Sequence, residues 1–391
     1  MQVKHDAVRI RAYNQKKIYD LIRKNPGISR AELAQKMKIS PTSIGKITAI
    51  MIEDGLVAEC GAFVDGRIGR NGIQLMVAAD RVLSLAIIID VGVIRGSVVN
   101  INGASTHEIV WEMPKAIPFP DAVERCVELI ETLLKAVSPE SRENIIGIGV
   151  SVPGFASGGH IHHSPQLFWQ DVELGGELQK HFDYRIIVEN NVKADALAEC
   201  VYGEVSSQSN ILILSMGSGL GAAMINNGRL NRGAHNALGE IGHILVDSNG
   251  TKCDCGRDGC LRTHIAKPSI EKISGMRFEA CLDAAQNGDA RCKEILDEVV
   301  RSACIWVANC IAIYDPSDIV LTGDLFRDWP SFYDTVTEGY RAYIWSPLKD
   351  KKVNIRKSVG LSTGDPIMSA ASIVFYQYLK TGIQLDMDIP S

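Results

Sequence analysis

Apolar residues recur at helical spacing in three short stretches near the start of the chain. The first stretch covers Gln15–Lys24 and is followed by a Pro-Gly pair that ends a helix. The second begins at Ser29, a suitable N-cap, and Glu32 three residues later completes a capping box. The third begins after Ser40, has proline at its first position and continues to about Asp54. Three short helices with a tight turn between the last two predict a helix-turn-helix.

The predicted third helix has one apolar face and one polar face. Ile44, Ile47 and Met51 recur at helical spacing and are expected in the core. The outward positions near the helix N-terminus are small polar or cationic residues: Thr42, Ser43 and Lys46. Such side chains can approach phosphates and base edges in a major groove. We expect DNA contacts from these three residues and from two at the start of the second helix, Ser29 and Arg30.

A hairpin pattern follows the three helices. Residues 56–59 and 73–77 read as two strands around a loop that contains Gly66-Arg67-Ile68-Gly69-Arg70. Arg67 and Arg70, each beside a glycine, suit the narrow and electronegative minor groove. The pattern therefore predicts a winged helix-turn-helix over residues 1–78. A plain helical bundle with a solvated hairpin is the alternative.

The remainder of the chain repeats one pattern of strands. An apolar strand at Val82–Ile89 is followed by Asp90-Val91-Gly92 and a second strand, and the same design recurs around Gly217–Gly221. Strands then alternate with helices after each hairpin. This predicts an α/β fold with two similar lobes and a cleft between them. We expect a body over residues 79–391, with lobes at about 79–190 and 191–391.

The two glycine turns are candidate phosphate sites. Glycine lets backbone N–H groups approach phosphate oxygens closely, and the positions concerned are Asp90, Gly92, Gly217, Gly219 and Gly221. The chain has no GxxxxGK[ST] motif, and the second run does not open a helix as a dinucleotide motif should. A tight turn explains the glycines equally well.

One cysteine cluster has metal-ligand spacing. Cys253, Cys255 and Cys260 lie within eight residues that also contain two glycines, and His243 precedes them by ten residues. Three thiols and one imidazole make a closed tetrahedral set typical of structural zinc. We therefore expect one structural zinc ion per chain. The alternative is a chance cluster of buried or redox-active thiols. The other seven cysteines, such as Cys126, are expected in the core.

Composition adds a charge asymmetry to this picture. Residues 1–75 hold 13 Lys/Arg and 7 Asp/Glu, and the remainder holds 28 and 39, so a head of charge +6 joins a body of charge −11. This is the balance expected when only the head meets a polyanion. An apolar run of about 18 residues is lacking, and residues 1–10 carry charges rather than an apolar signal core. We expect a cytoplasmic protein without a membrane contact.

These motifs resemble those of the ROK family (repressor, open reading frame, kinase) over nearly the entire chain. The segments that carry the resemblance are Asp90-Val91-Gly92, Val152-Pro153-Gly154, Glu189-Asn190-Asn191, Ser215–Gly221, Glu240-Ile241-Gly242-His243 with Cys253–Cys260, Leu321-Thr322-Gly323 and Gly364-Asp365. The head from Asn14 to Arg70 is similar to the heads of the family's repressors, which its sugar kinases lack. The resemblance implies an actin-like, ribonuclease-H-like body and a dimer or a dimer of dimers.

Three departures from the family pattern argue against kinase activity. The resemblance implies a catalytic Asp where this chain has Asn191, and an amide cannot accept the proton of a sugar hydroxyl. Losing a general base typically costs a factor of about 10²–10⁴ in rate. Ile94 replaces a hydroxy residue after the first phosphate turn, and Arg262 replaces a sugar-binding glutamate. We therefore expect no catalytic residue and a degenerate phosphate site.

The resemblance also implies where an effector binds. A sugar or sugar derivative is expected between the lobes at Asn190, Asn191, Glu240, His243 and Arg262. Glu240 can accept two hydroxyls, and His243 can ligate zinc through one ring nitrogen and keep the other for the sugar. Arg262 would suit an effector with a carboxylate or phosphate. Alternatively, it forms a salt bridge with Asp258 or Glu240.

The expected function is that of a transcriptional regulator of sugar-metabolism genes, acting as a repressor by family analogy. A homodimer would read a palindromic DNA operator, and lobe closure around the sugar would change the placement of the heads. Two alternatives stay open. The chain is an active ATP-dependent sugar kinase, or its body docks a protein such as a transport-system component.

Overall fold

The computed structural model describes residues 2–60, 73–206 and 208–381. The head has three helices and three strands, namely α1 (Gln2–Lys24), β1 (Ile28–Ser29), α2 (Arg30–Met37), α3 (Pro41–Glu53), β2 (Val57–Cys60) and β3 (Gln74–Val77). The strands form a small sheet in the order β1-β3-β2, and β2 pairs with β3 in antiparallel fashion. The predicted helices and the two wing strands are confirmed. α1 begins earlier than predicted. Its first residues are mostly polar and show no apolar periodicity, so the sequence pattern did not reveal them as helical.

The predicted caps of the head are present. Ser29 Oγ accepts a hydrogen bond from the Glu32 backbone N–H at 3.3 Å, and the Glu32 carboxylate accepts from Ser29 N–H at 2.8 Å. These bonds lower the pKa of the Glu32 carboxyl. Ser40 caps α3 through Ser43 N–H, and Pro41 occupies the first turn. Because side chains satisfy two backbone donors at the start of α2 and one at the start of α3, the turn between these helices is fixed locally.

The core of the head extends to the last helix of the chain. The predicted α3 residues Ile44 and Met51 are fully buried. Tyr19 of α1 is also fully buried and packs edge-on against Tyr378, with ring centroids 6.3 Å apart. This aromatic contact joins α1 to a segment more than 300 residues away in sequence and fixes the position of the helix.

The body continues with thirteen strands and twelve helices in the described residues. The strands are β4 (Leu83–Asp90), β5 (Val93–Asn100), β6 (Ser105–Glu112), β7 (Ile145–Val152), β8 (Phe155–Ser157), β9 (His160–Ser164), β10 (Trp169–Glu173), β11 (Ile186–Asn190), β12 (Ile211–Met216), β13 (Leu220–Asn226), β14 (Arg229–Asn231), β15 (Asp318–Thr322) and β16 (Asn354–Lys357). The helices are α4 (Phe119–Ala136), α5 (Pro139–Arg142), α6 (Leu174–Gln179), α7 (Asn191–Tyr202), α8 (Arg262–Ile265), α9 (Lys267–Ser274), α10 (Phe278–Gln286), α11 (Ala290–Tyr314), α12 (Asp324–Asp328), α13 (Pro330–Gly339), α14 (Val359–Thr363) and α15 (Ile367–Thr381).

Two five-stranded sheets repeat one design. Their strand orders are β11-β7-β4-β5-β6 and β14-β13-β12-β15-β16. In each sheet an antiparallel hairpin, β4/β5 or β12/β13, occupies the centre and turns at glycine-containing residues. Strands that arrive after a helical crossover lie beside the first hairpin strand, and β12, β15 and β16 run parallel. The predicted duplication is confirmed, and both sheets have the layered α/β architecture that the sequence predicts.

The chain divides into two compact units. One comprises Met1–Val150, Glu173–Val188 and Ala370–Ser391, and the other comprises Ser151–Val172 and Glu189–Ser369. The first unit holds the head, the first large sheet and most of α15. The second holds the β10-β9-β8 sheet, the second large sheet and the helices α7 to α14. These units do not coincide with the ranges 1–78, 79–190 and 191–391, which stay a prediction about functional domains.

Among the described residues no helix is long and apolar enough to cross a membrane.

Candidate functional site

The predicted metal ligands lie together in the second unit. The ligand atoms of His243, Cys253, Cys255 and Cys260 are all within 4.8 Å of one another. Cys253 Sγ is 3.8 Å from His243 Nδ1, and Cys255 Sγ is 3.6 Å from Cys260 Sγ. A tetrahedral ion with Zn–S bonds of about 2.3 Å places its sulfur ligands about 3.8 Å apart. The four groups therefore have the spacing that a zinc ion requires.

Glycines shape the loop that carries the thiols. Gly256 and Gly259 have φ values of 89° and 68°, in the left-handed region that favours glycine. A Cβ at Gly259 would collide with the backbone carbonyl of Asp247. The loop closes on itself because Cys253 N–H donates to Arg257 O at 2.8 Å. The sequence prediction that glycines let this segment fold sharply is confirmed.

The surroundings favour the metal-ligating forms of Cys255 and His243, whereas burial raises the pKa of the Cys260 thiol. Desolvation opposes ionisation of Cys255, but hydrogen bonds from Arg257 outweigh it and lower the pKa of the thiol to about 7. Burial lowers the pKa of His243, and the nearby charges of Arg262, Arg257 and His163 act in the same direction. His243 is therefore a neutral imidazole at pH 7, the form that binds metals. Its Nδ1 faces the thiols, so Nε2 lies on the opposite side of the ring.

The side chain of Asn190, a predicted effector contact, already forms hydrogen bonds within the protein. Its Oδ1 accepts hydrogen bonds from Val192 and Lys193 N–H at the start of α7. Its Nδ2 donates to Gly154 O at 2.7 Å and to Asn191 Oδ1 at 3.2 Å. The residue thus caps a helix and fastens it to the segment before β8. A sugar contact from Asn190 stays a prediction, and it would compete with these bonds.

Asn191 and Glu240 are more open to ligand than Asn190. Asn191 Oδ1 accepts from Val192 N–H at 3.0 Å, whereas its Nδ2 has no protein partner in the described parts of the chain. Glu240 is exposed at the start of a short 3-10 turn. Desolvation by surrounding protein atoms raises the pKa of the Glu240 carboxyl, and the charge of Lys193 opposes that rise. The carboxylate therefore has a buried cation near it and a face towards solvent.

Sequence reasoning missed a polar network behind this carboxylate. Lys193 is 2% exposed, and its ammonium donates to the Asn236 carbonyl. Arg232 donates to Glu189 at 2.5 Å and to Asn236 Oδ1 at 3.2 Å. Asn236 in turn donates to Ala156 O at 2.7 Å. A lysine among the mostly apolar residues that α7 buries was the available sequence signal, since lysine is rarely buried.

Arg262 does not have either of its predicted partners. It is 7% exposed, and its closest carboxylate is Asp254 at 3.6 Å, rather than Asp258 or Glu240. Asp254 lies between two of the cluster cysteines, so the sharp turn of the thiol loop brings it to the arginine. Because the pair is long for a charge-assisted hydrogen bond, Arg262 keeps donors for another acceptor.

The second glycine turn already holds an anion from the protein itself. Ser218 N–H and Ser218 Oγ donate to the two carboxylate oxygens of Asp324, each at 2.8 Å. Lys267 lies 3.1 Å from the same carboxylate, and it also pairs with Asp328. A Cβ at Gly217 would collide with Asp324 Oδ1. Glycine is therefore needed here for close approach, but the group that approaches is a carboxylate.

The first glycine turn lies in the other unit and is simpler. Asp90 Oδ1 accepts from Val91 N–H at 2.7 Å, and Gly92 has a φ of 76°. Ile94, at the position of the expected hydroxy residue, is fully buried. Gly219 and Gly221 of the second turn face Gln166 and Val192. Phosphate binding at any of these positions stays a prediction.

The candidate DNA-binding face is exposed on α3. Thr42, Ser43 and Lys46 are all exposed, as predicted. Two other candidates are engaged in the head, because Ser29 caps α2 and Arg30 donates to Thr48 Oγ1 at 3.0 Å and to Glu59 at 2.7 Å. The wing arginines Arg67 and Arg70 lie outside the described residues. The DNA contacts themselves stay predictions.

Comparisons with known proteins find matches for both the head and the body of the chain. Residues 87–375 match the ROK family, and residues 11–58 match a winged helix-turn-helix DNA-binding family. The xylose repressor of Bacillus spizizenii is 25% identical over 386 residues, which cover 96% of this chain and 98% of that protein. The DNA-binding transcriptional dual regulator NagC of Escherichia coli is 26% identical over 337 residues, or 81% of each chain.

Solved structures share the fold. A ROK family transcriptional regulator described as a homologue of the E. coli MLC protein superposes with a TM-score of 0.76 at 23% identity, over 95% of this chain and 96% of that one. A ROK family glucokinase from Streptomyces griseus superposes with a TM-score of 0.64 at 17% identity, over 75% of this chain and 98% of that one. The regulator covers the head as well as the body, whereas the kinase leaves a quarter of this chain unmatched.

Proposed function

The chain belongs to the ROK family, and from this membership and its winged helix-turn-helix head we propose that it is a DNA-binding repressor of sugar-metabolism genes, controlled by a sugar or sugar derivative. The observation that carries the proposal is the presence of both parts on one chain, with an alignment to a xylose repressor along nearly the whole length. The names of the relatives, xylose repressor and NagC, support a sugar as the effector.

The effector site that we propose centres on Glu240, Asn191 and His243 in the second unit. The Glu240 carboxylate can accept hydroxyl hydrogen bonds, and the free Asn191 amide nitrogen can donate one. Arg262, with no short ion pair, is available to a charged effector. We further propose that one zinc ion, held by His243, Cys253, Cys255 and Cys260, keeps His243 and the adjoining turn in place. Zinc serves structure here, because all four tetrahedral positions would be protein ligands.

The site favours a regulator that has no kinase activity. An amide stands at Asn191 where a base would have to accept a proton, and the second glycine turn holds Asp324 in place of a phosphate. Two like charges cannot share the Ser218 donors, so a nucleotide phosphate would have to displace Asp324. On this proposal, Asn191 cannot act as the proton acceptor of a kinase, and the Ser218 donors are not free for a phosphate.

The sugar would act through unequal affinity for two states of the protein, one of which binds the operator better. We propose that a homodimer, or a dimer of dimers, places two heads on a palindromic operator, with DNA contacts from Thr42, Ser43 and Lys46 and from the wing arginines Arg67 and Arg70. Residues 1–78 would act as the reading domain and residues 79–391 as the sensing domain, in the cytoplasm.

Operator binding with a panel of sugars tests the proposal directly. The purified chain should bind duplex fragments from upstream of its own gene, and a pentose or hexose, or an acid or phosphate of one, should change that affinity. Equal effects of neutral and charged sugars on thermal stability would remove the role of Arg262. ATP-dependent phosphorylation of a sugar that is lost in Glu240→Gln would favour the kinase alternative, and release from DNA by a transport-system protein alone would favour a protein effector.

The wing makes a salt-dependent prediction. The double variant Arg67→Ala/Arg70→Ala should bind the operator more weakly, and the slope of log affinity against log salt should fall by about 2, since each phosphate contact contributes about 0.9. Fluorescence anisotropy across a salt series measures this slope. Arg125→Ala on the exposed surface of α4 is the matched control and should leave the slope unchanged. An unaltered slope in the double variant would remove the wing from the DNA interface.

The glycine turn makes a prediction about nucleotides. Wild-type protein should bind a non-hydrolysable ATP analogue with a dissociation constant above about 1 mM. Asp324→Ala frees the Ser218 donors and removes one of the two carboxylate partners of Lys267, so this variant should bind inorganic phosphate or the analogue at least about tenfold more tightly. Isothermal titration measures both. Asp328→Ala removes the other partner of Lys267 but leaves the Ser218 donors filled, so it should behave like wild type. Tight nucleotide binding by wild type would contradict the closed site.

A further inference from the structure

A second cluster of metal-ligating side chains lies on the three-stranded sheet β10-β9-β8 of the second unit. His160 and His162 alternate along β9, so both rings leave the same face of the strand. Asp171 extends from the neighbouring strand β10. One ligand atom from each of the three residues lies within 4.8 Å of the others. This group shares no residue with the cysteine cluster and is assigned to no function above.

The distances suit a single small ion. His160 Nε2 is 3.6 Å from Asp171 Oδ1, and the two imidazole centroids are 4.5 Å apart. Bonds of about 2.0–2.2 Å to imidazole nitrogen and carboxylate oxygen place tetrahedral ligands roughly 3.4 Å apart. Small side-chain rotations would therefore bring the three groups into one coordination sphere.

Neighbouring groups hold the His162 ring in place. Its Nε2 lies 2.7 Å from Ser157 Oγ on the other adjacent strand, β8. Phe155 stacks against the ring at a centroid distance of 4.8 Å and an interplanar angle of 26°. Metal-bound histidines commonly use their second nitrogen in a hydrogen bond of this kind, which orients the ring. Because this hydrogen bond engages Nε2, an ion would bind His162 through Nδ1.

The carboxylate end is open and conformationally unusual. The Asp171 side chain is 68% exposed, so water has access to the remaining coordination positions. Its φ is 49°, in the left-handed region that a non-glycine residue adopts at a cost. Strained backbone of this type often occurs at ligand sites, because surrounding structure must maintain it.

We propose that His160, His162 and Asp171 bind a second divalent transition-metal ion. Two imidazoles and one carboxylate favour zinc, nickel, cobalt or copper over the oxygen-preferring magnesium and calcium. The ion completes its sphere with water, so this site is open where the cysteine cluster is closed. It binds more weakly than four protein ligands would.

The place of the site in the fold gives the ion a consequence. His163 follows His162 on β9 and leaves the opposite face of the strand. The same hairpin accepts hydrogen bonds from Asn190 at Gly154 and from Asn236 at Ala156. An ion that clamps β9 to β10 therefore stiffens the wall beside the proposed effector residues.

Cobalt distinguishes the two sites in the full-length protein. Metal-free protein titrated with Co²⁺ under reducing conditions should bind two equivalents, one with thiolate charge-transfer absorption and one with only weak d–d bands. In Cys253→Ser the thiolate signal should weaken while the second equivalent remains. In His160→Asn/His162→Asn the thiolate signal should remain, and the affinity for the second cobalt ion should fall at least about tenfold.

Two further variants keep the test sharp. Asp171→Asn alters an exposed side chain, so the variant should fold normally. Its affinity for the second cobalt ion should nevertheless be lower than that of wild type. His181→Asn removes an exposed histidine from outside the cluster and should change neither equivalent. A single equivalent in wild type, or a second one unaffected by the Asp171 and double-histidine changes, would overturn the proposal. Cobalt binding is measured without DNA or sugar, so failure of this proposal and failure of the proposed function are distinguishable.

Discussion

Replacing Cys253 by serine should strip the chain of its tightly bound zinc and lower its thermal stability by more than any other single change considered. The ligand atoms of the cluster come from a 3-10 turn and from a loop with little apolar surface of its own, so the ion would carry much of the stability of this region. Structural zinc sites bind with an apparent free energy of about 10–16 kcal/mol, and folding and binding are coupled. Losing one thiolate should reduce zinc affinity by more than about 100-fold.

Metal analysis and a melting curve measure this effect. Wild-type protein should hold tightly bound zinc at the cysteine cluster through dialysis, and Cys253→Ser should lose it. Cys310→Ala is the matched control, because Cys310 is fully buried in α11 and burial raises its thiol pKa. That variant should lose some core packing and keep its zinc. Tight zinc retained by Cys253→Ser would show that the cluster is not a metal site.

Glu240→Gln should uncouple DNA binding from the sugar. The carboxylate can accept two hydroxyl hydrogen bonds, and bonds to a charged group contribute about 1.5–3 kcal/mol each. Losing both as charged acceptors should weaken sugar affinity by about 10²–10⁴-fold. Operator affinity without sugar should stay near that of wild type, because Glu240 is remote in sequence from the head and lies in the other compact unit.

Calorimetry with the active sugar and anisotropy with labelled operator separate the two effects. Glu294→Gln on the exposed side of α11 is a control of equal charge change and should respond to sugar like wild type. The Glu240 variant removes charge near the buried Lys193, so its thermal stability should be compared with that of the control. Wild-type sugar affinity in Glu240→Gln would move the effector site elsewhere.

The local features that sequence alone predicts form where their parts are close in the chain. The capping box at Ser29, the cap at Ser40 and the thiol loop depend on residues three to ten positions apart, and all three form as expected. The family motifs added Glu240 and Asn191, whose contact with an effector stays a prediction. The partner of Arg262 was predicted wrongly, because the folding of a loop and not its spacing brought Asp254 to it.

The features that sequence missed join distant segments. Asp324 fills a glycine turn that is 106 residues earlier, Lys193 reaches the carbonyl of Asn236, and Tyr19 packs on Tyr378. No periodicity links such pairs. Asn190, predicted as a sugar contact, uses both ends of its amide to cap α7 and to hold the chain at Gly154. Only the packed structure reveals which polar atoms are already satisfied.

The sequence by itself predicted the helices of the head, the duplicated hairpins and the cluster of three thiols and one imidazole from periodicity, caps and short spacing, and its motifs resembled those of the family. Tertiary structure alone decided that the second glycine turn holds a carboxylate, that a lysine stands buried behind Glu240, and that two histidines of β9 meet Asp171 of β10. The physical reason is that hydrogen bonds and charges act over a few ångströms of space. Which distant residues come within that range is fixed by how strands pair and helices pack.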